Sequence, residues 1–313
     1  MLPRPATRRP VQKQTAPTAS ARRRRIRERF DASVGREWRR YSGDAWRVLV
    51  RELRDRFLAR HLPKGGGWVL ELGPGPGRFT PTVLASGARV AAVDLSLPML
   101  RALGRRAAVR TRSARLRPVR GAGEHLPFRN GAFRAVVAYG NILGFAGSEG
   151  AQLLSEIARV VRPGGLLLLD VASPVGSTTE FLEVGARRRF LRRILRNPDY
   201  YFLSAILGAG PRGHQPYAPA RMGYFEFDFY TVEGADEVLR AAGFSPVDRM
   251  ALGAIGAFRD RLTTIARREP RTWKNLVEIE EQVGRRPGVL ETGHGFVLAA
   301  RRRASHHRRR SRD

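Results

Sequence analysis

The 313-residue chain has no cysteine. That excludes disulfides, a thiol nucleophile, iron–sulfur clusters and thiolate zinc sites, and it fits a reducing compartment such as the cytoplasm. No apolar run approaches the ~18 residues a membrane-spanning helix needs. The first residues carry no apolar segment of the secretory kind, so no secretory leader is expected. No G-x-x-x-x-G-K-[ST] occurs, which excludes a P-loop, and neither H-E-x-x-H nor a paired-carboxylate motif supports a metal centre. Acids are scarce: 28 Asp and Glu stand against 58 Lys and Arg, a formal charge of +30. Lysine is scarcer still, confined to Lys13, Lys64 and Lys274.

The hydrophobic fraction of 42% is enough for a globular domain. The charge is uneven. Residues 1–30 hold ten basic side chains and one acid, Glu28, with prolines at 3, 5, 10 and 17; residues 301–313 hold seven and one, Asp313. Both ends read as basic disordered tails around a domain spanning 31–300. Such tails are solvated background from the codon bias of a GC-rich genome, contacts for nucleic acid or an anionic surface, or, at the front, a transit segment.

Within the domain, Trp46, Leu49, Val50, Leu53 and Phe57 recur at helical spacing, which predicts an amphipathic helix over 46–60. It belongs to a helical segment over 31–66, with Tyr41 and Trp46, that the family resemblance carried by the motifs below implies is a lid over the site. Strands are expected at 68–72, 89–94, 116–119, 134–139, 166–171 and 296–300. Helices are expected from Ser96, an N-cap, to about Ala107, and over 147–161 and 232–242. This alternation predicts an α/β, doubly wound, parallel sheet; the family resemblance carried by the motifs below implies that it is mostly parallel with an antiparallel C-terminal strand. Residues 172–231 break the pattern; they are basic and aromatic, and read as a helical, aromatic cap inserted over the sheet.

The segment Val69-Leu70-Glu71-Leu72-Gly73-Pro74-Gly75-Pro76-Gly77 carries the chemistry. An apolar strand runs into G-x-G-x-G and then a helix, so a ligand can approach the backbone closely. Asp94 ends the next strand, where a carboxylate can accept hydrogen bonds from ribose hydroxyls. The dinucleotide fingerprint fails, because its third glycine would fall at Arg78. The site therefore suits a nucleoside without a pyrophosphate.

Four ordered motifs make the chain resemble the class I S-adenosylmethionine-dependent methyltransferases, in their small-molecule (type 11-like) branch. They are ELGPGPG at 71–77, VDLSLPML at 93–100, EHLPF at 124–128 with Phe133, and RPGG-LLLLD at 162–170. AGF at 242–244 and the last strand extend the resemblance. It implies a Rossmann-like fold and S-adenosyl-L-methionine as cofactor. Gly73, Gly75 and Gly77 would line its methionine and ribose part, with Glu71 near the methionine end. Asp94 would hold the ribose, and Leu95 and Met99 would sandwich the adenine. The family often has Asp-Ala before LPF; Ala122-Gly123 stands here, so that contact is lost or passes to Glu124. Tyr139, Gly140 and Asn141 would lie where methyl donor and acceptor meet.

Taken by themselves, Gly77 equally suits helix–strand packing and Asn141 a turn. No catalytic base is assigned; Tyr139, His125 and His214 are the candidates. Three functions are open. One is methyl transfer to a small molecule, with 172–231 forming the acceptor pocket. The second is methylation of RNA or a ribosomal component, using the tails, 101–120 (eight Arg, no acid) and 187–196 (six Arg, no acid). The third is a non-catalytic cofactor-binding scaffold.

Overall fold

The computed structural model describes residues 18–40, 45–111, 114–176, 212–214, 228–255 and 259–304. Short apolar runs form the strands β1 (Trp68–Leu72), β2 (Arg89–Asp94), β3 (Leu116–Arg120), β4 (Phe133–Ala138) and β5 (Val161–Ala172). They are followed by β6 (Arg212–His214), β7 (Asp228–Tyr230), β8 (Phe244–Ala251) and β9 (Gly295–Arg302). Seven of them make one sheet in the order β3-β2-β1-β4-β5-β9-β8, while β6 and β7 pair separately. The first five run parallel, and β9 runs antiparallel to both β5 and β8. The expected mostly parallel sheet with an antiparallel C-terminal strand is therefore present.

The helices are α1 (Ala19–Asp31), α2 (Val34–Arg39), α3 (Ala45–His61), α4 (Thr80–Ala85), α5 (Leu97–Thr111), α6 (Ile142–Ala146) and α7 (Gly150–Val160). Beyond the insertion come α8 (Val232–Ala241), α9 (Arg259–Arg268) and α10 (Pro270–Val283). Strand alternation splits the core in two. From β5, Leu166 and Leu168 join Leu53 and Phe57 of α3 and Val277 of α10. Leu167, Leu169 and Val171 join Leu154 and Ile157 of α7 and Leu239 of α8 on the other face. A strand covered on both faces can be apolar throughout, which is why LLLLDV reads as an unbroken run.

Three expectations differ from the structure. Residues 19–31, placed in a tail, form α1. Thr18 caps it, its hydroxyl accepting from the Ala21 amide at 3.3 Å, and arginine is itself a good helix former. At the other end β9 extends to Arg302, into the segment expected to be the C-terminal tail. β8, α9 and α10 were not read from the sequence at all. In β8 the ladder slips between Pro246 and Asp248; a proline at a bulge is tolerated but hides the alternation. Most of the expected 172–231 cap lies outside the described residues, as do residues 1–17 and 305–313. No helix among the described residues is long and apolar enough to cross a membrane.

Candidate active site

β1 ends in a turn where Gly73, Gly75 and Gly77 take φ values of +59°, +54° and +83°. Side chains elsewhere rarely adopt this region. Their surroundings differ. A Cβ at Gly73 would collide with Ile142 Cδ1, and one at Gly77 with Leu103 Cδ1. At Gly75 a Cβ would meet nothing within 4 Å. Two glycines thus allow packing, and the middle one leaves a bare backbone surface facing the cleft.

Asp94 fastens this turn to the end of β2. Its Oδ2 accepts from the Gly75 amide at 3.1 Å and its Oδ1 from the Ser96 amide at 2.8 Å. Ser96 Oγ in turn accepts from the Met99 amide at 3.3 Å and starts α5, as the expected N-cap. Below the turn lies Glu71, 2% exposed, whose Oε2 accepts from Thr80 Oγ1 at 2.8 Å. Burial pushes the Glu71 carboxyl up to about 7 against that hydrogen bond, and the nearby Asp94 and Asp55 add to the rise. Burial likewise lifts Asp94 to about 6, opposed by the Ser96 and Gly75 amides. Glu124 is raised too, again chiefly by burial.

The far wall begins where β4 ends. Tyr139 is buried and meets Phe79 edge-on at 5.2 Å, and its hydroxyl has no hydrogen-bond partner among the described residues. Burial, and then the Asp170 carboxylate, hold that phenol well above its ordinary pKa. The next turn is braced from beneath. Asp170 Oδ1 accepts from the amides of Gly140 (2.7 Å) and Asn141 (2.8 Å), and its Oδ2 from Arg54 Nε at 2.7 Å. Both members of this ion pair are buried. Neither was singled out in the sequence: Asp170 is the polar end of an apolar run, and Arg54 sits mid-helix.

Glu71, Gly73, Gly75, Asp94, Leu95, Met99, Gly123, Glu124 and Tyr139 all line one cleft at the carboxyl ends of β1, β2 and β4. That is the crevice where open α/β sheets bind ligands. Other expected site residues do not line it. Gly77 packs behind the turn on Leu103. Asn141, with φ +59°, uses its Oδ1 to accept from the Ala172 amide at 3.2 Å, so it serves the turn. His125 is exposed and off the cleft wall. His214 is in β6, its side chain outside the described residues.

The expected lid is also corrected. Tyr41 is outside the described residues, and Trp46 is buried beside Gly253 rather than in the cleft. The roof is α1, which presents Arg22, Arg23, Ile26, Arg27 and Phe30 to the cleft. Phe30 meets Phe145 edge-on at 6.0 Å, Arg22 Nε donates to the Phe145 carbonyl at 3.1 Å, and Arg23 pairs with Glu149. The available signal was Ile26 and Phe30, four residues apart, downstream of a Thr cap.

Comparison with known proteins agrees with this geometry. The family described as "Methyltransferase domain" matches residues 69–165. A demethylmenaquinone methyltransferase of Corynebacterium kroppenstedtii is 35% identical over 173 residues, covering 53% of this chain and 68% of that protein. A malonyl-[acyl-carrier protein] O-methyltransferase of Pseudescherichia vulneris is 35% identical over 135 residues, but the match spans only 49% of its length and 43% of this chain. Among solved structures, the Burkholderia thailandensis 1,6-didemethyltoxoflavin-N1-methyltransferase, with its bound 1,6-didemethyltoxoflavin and S-adenosylhomocysteine, has a TM-score of 0.59. It covers 94% of each chain at 19% identity and so speaks for the fold.

Proposed function

The chain belongs to the class I S-adenosylmethionine-dependent methyltransferases, and we propose that it methylates a small-molecule acceptor held between the strand ends and α1. The observation that carries the reading is the bare Gly75 backbone beside an Asp94 carboxylate already fixed by two amides. S-adenosylmethionine supplies, when bound, a methyl group already activated by its sulfonium charge. Asp94 keeps lone pairs free for the ribose hydroxyls. Leu95 and Met99 flank the adenine, with Gly123 and Glu124 at its edge. Glu71 lies toward the methionine end, where a nearby ammonium group would favour its ionised form.

The protein's remaining task is alignment, since an in-line displacement depends on geometry more than on a catalytic group. The buried Arg54–Asp170 pair fixes the Gly140–Asn141 turn beside the cleft. With its pKa held so high, Tyr139 remains protonated near neutrality and acts as a hydrogen-bond donor rather than a base. The names of the relatives support a small acceptor, and so does the apolar roof of Ile26, Phe30 and Phe145.

The test is to incubate the protein with methyl-labelled S-adenosylmethionine and extract from its source, then separate organic-soluble, nucleic-acid and protein fractions. Label in the organic-soluble fraction is expected. Label in RNA would overturn the small-molecule reading and turn attention to the arginine-rich segments.

A further inference from the structure

Five arginines line the cleft, Arg22, Arg23, Arg27, Arg40 and Arg78. Four are engaged within the protein. Arg22 bonds the Phe145 carbonyl, Arg23 pairs with Glu149, Arg40 with Glu37 at 3.4 Å, and Arg78 donates to the Glu37 and Trp38 carbonyls. Arg27 is partly buried and makes no hydrogen bond or ion pair with any described residue. A guanidinium drawn partly out of water without an anion loses hydration and gains nothing back. Its planar fork of donors matches a carboxylate.

The neighbours of Arg27 indicate what the rest of such a ligand looks like. Ile26 precedes it, Phe30 lies less than a turn further along α1, and Phe145 of α6 meets Phe30 to complete an aromatic wall. The carboxylates assigned to the cofactor feel other charges: Glu71 those of Asp94 and Asp55, and Asp94 that of Asp31. We propose that Arg27 is a specificity residue for the acceptor, which is a small molecule carrying a carboxylate beside a planar apolar body. The guanidinium takes the carboxylate, and Phe30 and Phe145 take the body. This deepens the small-molecule reading above and rests on it.

Trans-cinnamate and its neutral amide probe the claim by calorimetry on the full chain, each with and without saturating S-adenosylhomocysteine. Wild type should bind the carboxylate at least about tenfold more tightly than the amide. Arg27→Gln should erase the difference and Arg27→Lys restore part of it, with S-adenosylhomocysteine affinity within about threefold of wild type throughout. Equal affinity for the two probes in wild type, or binding of neither, overturns the proposal without calling on any variant. Unchanged discrimination in Arg27→Gln overturns it as well. A tenfold loss of S-adenosylhomocysteine affinity in that variant would mean that Arg27 serves the cofactor's own carboxylate, which also overturns it. Failure of wild type to bind S-adenosylhomocysteine sinks the cofactor site instead, and the ligand-free arm still reads Arg27.

Discussion

The two walls of the cleft are put together differently. The floor is made by turns at strand ends, tied by backbone amides to Asp94 and Asp170. The roof is one helix, tied down by side chains that reach Phe145 and Glu149, 123 and 126 positions along the chain. A floor anchored in the sheet opens only when the domain does, whereas a helix held by a few side chains is drawn from the low-stability end of a protein. On this contrast the floor is expected to fix binding geometry and the roof to govern access.

That contrast can be broken first at the floor. Asp170→Ala removes the carboxylate that faces the buried Arg54 and frees two turn amides, so it should lower stability by about 3–5 kcal/mol, read by urea unfolding. A loss under ~1 kcal/mol would mean the floor is not braced by this pair. The next effect is a pH slope. Unfolded, Glu71 releases its proton near 4.5, and folded near 7. Between those values the unfolded chain binds fewer protons, so stability falls as pH rises, by roughly 3 kcal/mol in all. This contribution is fully present below the lower value and gone above the higher one. Glu71→Gln should flatten the slope in unfolding curves collected across that window.

Asp94→Ala removes the acceptor assigned to two ribose hydroxyls. It should weaken S-adenosylhomocysteine binding by about 100-fold, measured by calorimetry; wild-type affinity would refute the assignment. The smallest effect belongs to the roof. Phe30→Ala loses one edge-on aromatic contact and should reduce stability by only about 1 kcal/mol. It should nonetheless speed amide hydrogen exchange in 19–31 and raise KM for the acceptor. Uniform exchange across α1 and β1 in wild type would erase the distinction between the walls.

The floor was legible because its chemistry is local. Gly73, Gly75 and Gly77 announce a tight turn within five residues, and Asp94 closes an apolar run. Ten of the residues to which the ordered motifs point, Gly140 among them, line the cleft. The roof was hidden by composition. In ASARRRRIRERFD the charge run outweighs Ile26 and Phe30, and what holds the helix is a carbonyl and a carboxylate far along the chain. The Arg54–Asp170 pair was hidden for the same reason, since nothing near either residue names the other. In β8, Pro246 and the half-buried charged pair Asp248 and Arg249 blurred a strand that the bulge accommodates. Asn141 shows the reverse error: a position beside the site was legible, but which way its amide turned depended on the Ala172 amide across the fold.

The place of β9 inside the sheet, between β5 and β8, has a consequence during synthesis. β5 ends at residue 172 and β9, which must lie between it and β8, begins at residue 295. At the usual ~5–20 residues per second, a ribosome takes on the order of 10 s to make the intervening chain. Through that interval β5, which carries the Leu166–Leu169 run, has one open edge. The nascent chain is then a template for strand pairing with its neighbours on the same polysome, until the missing strand emerges and closes the sheet.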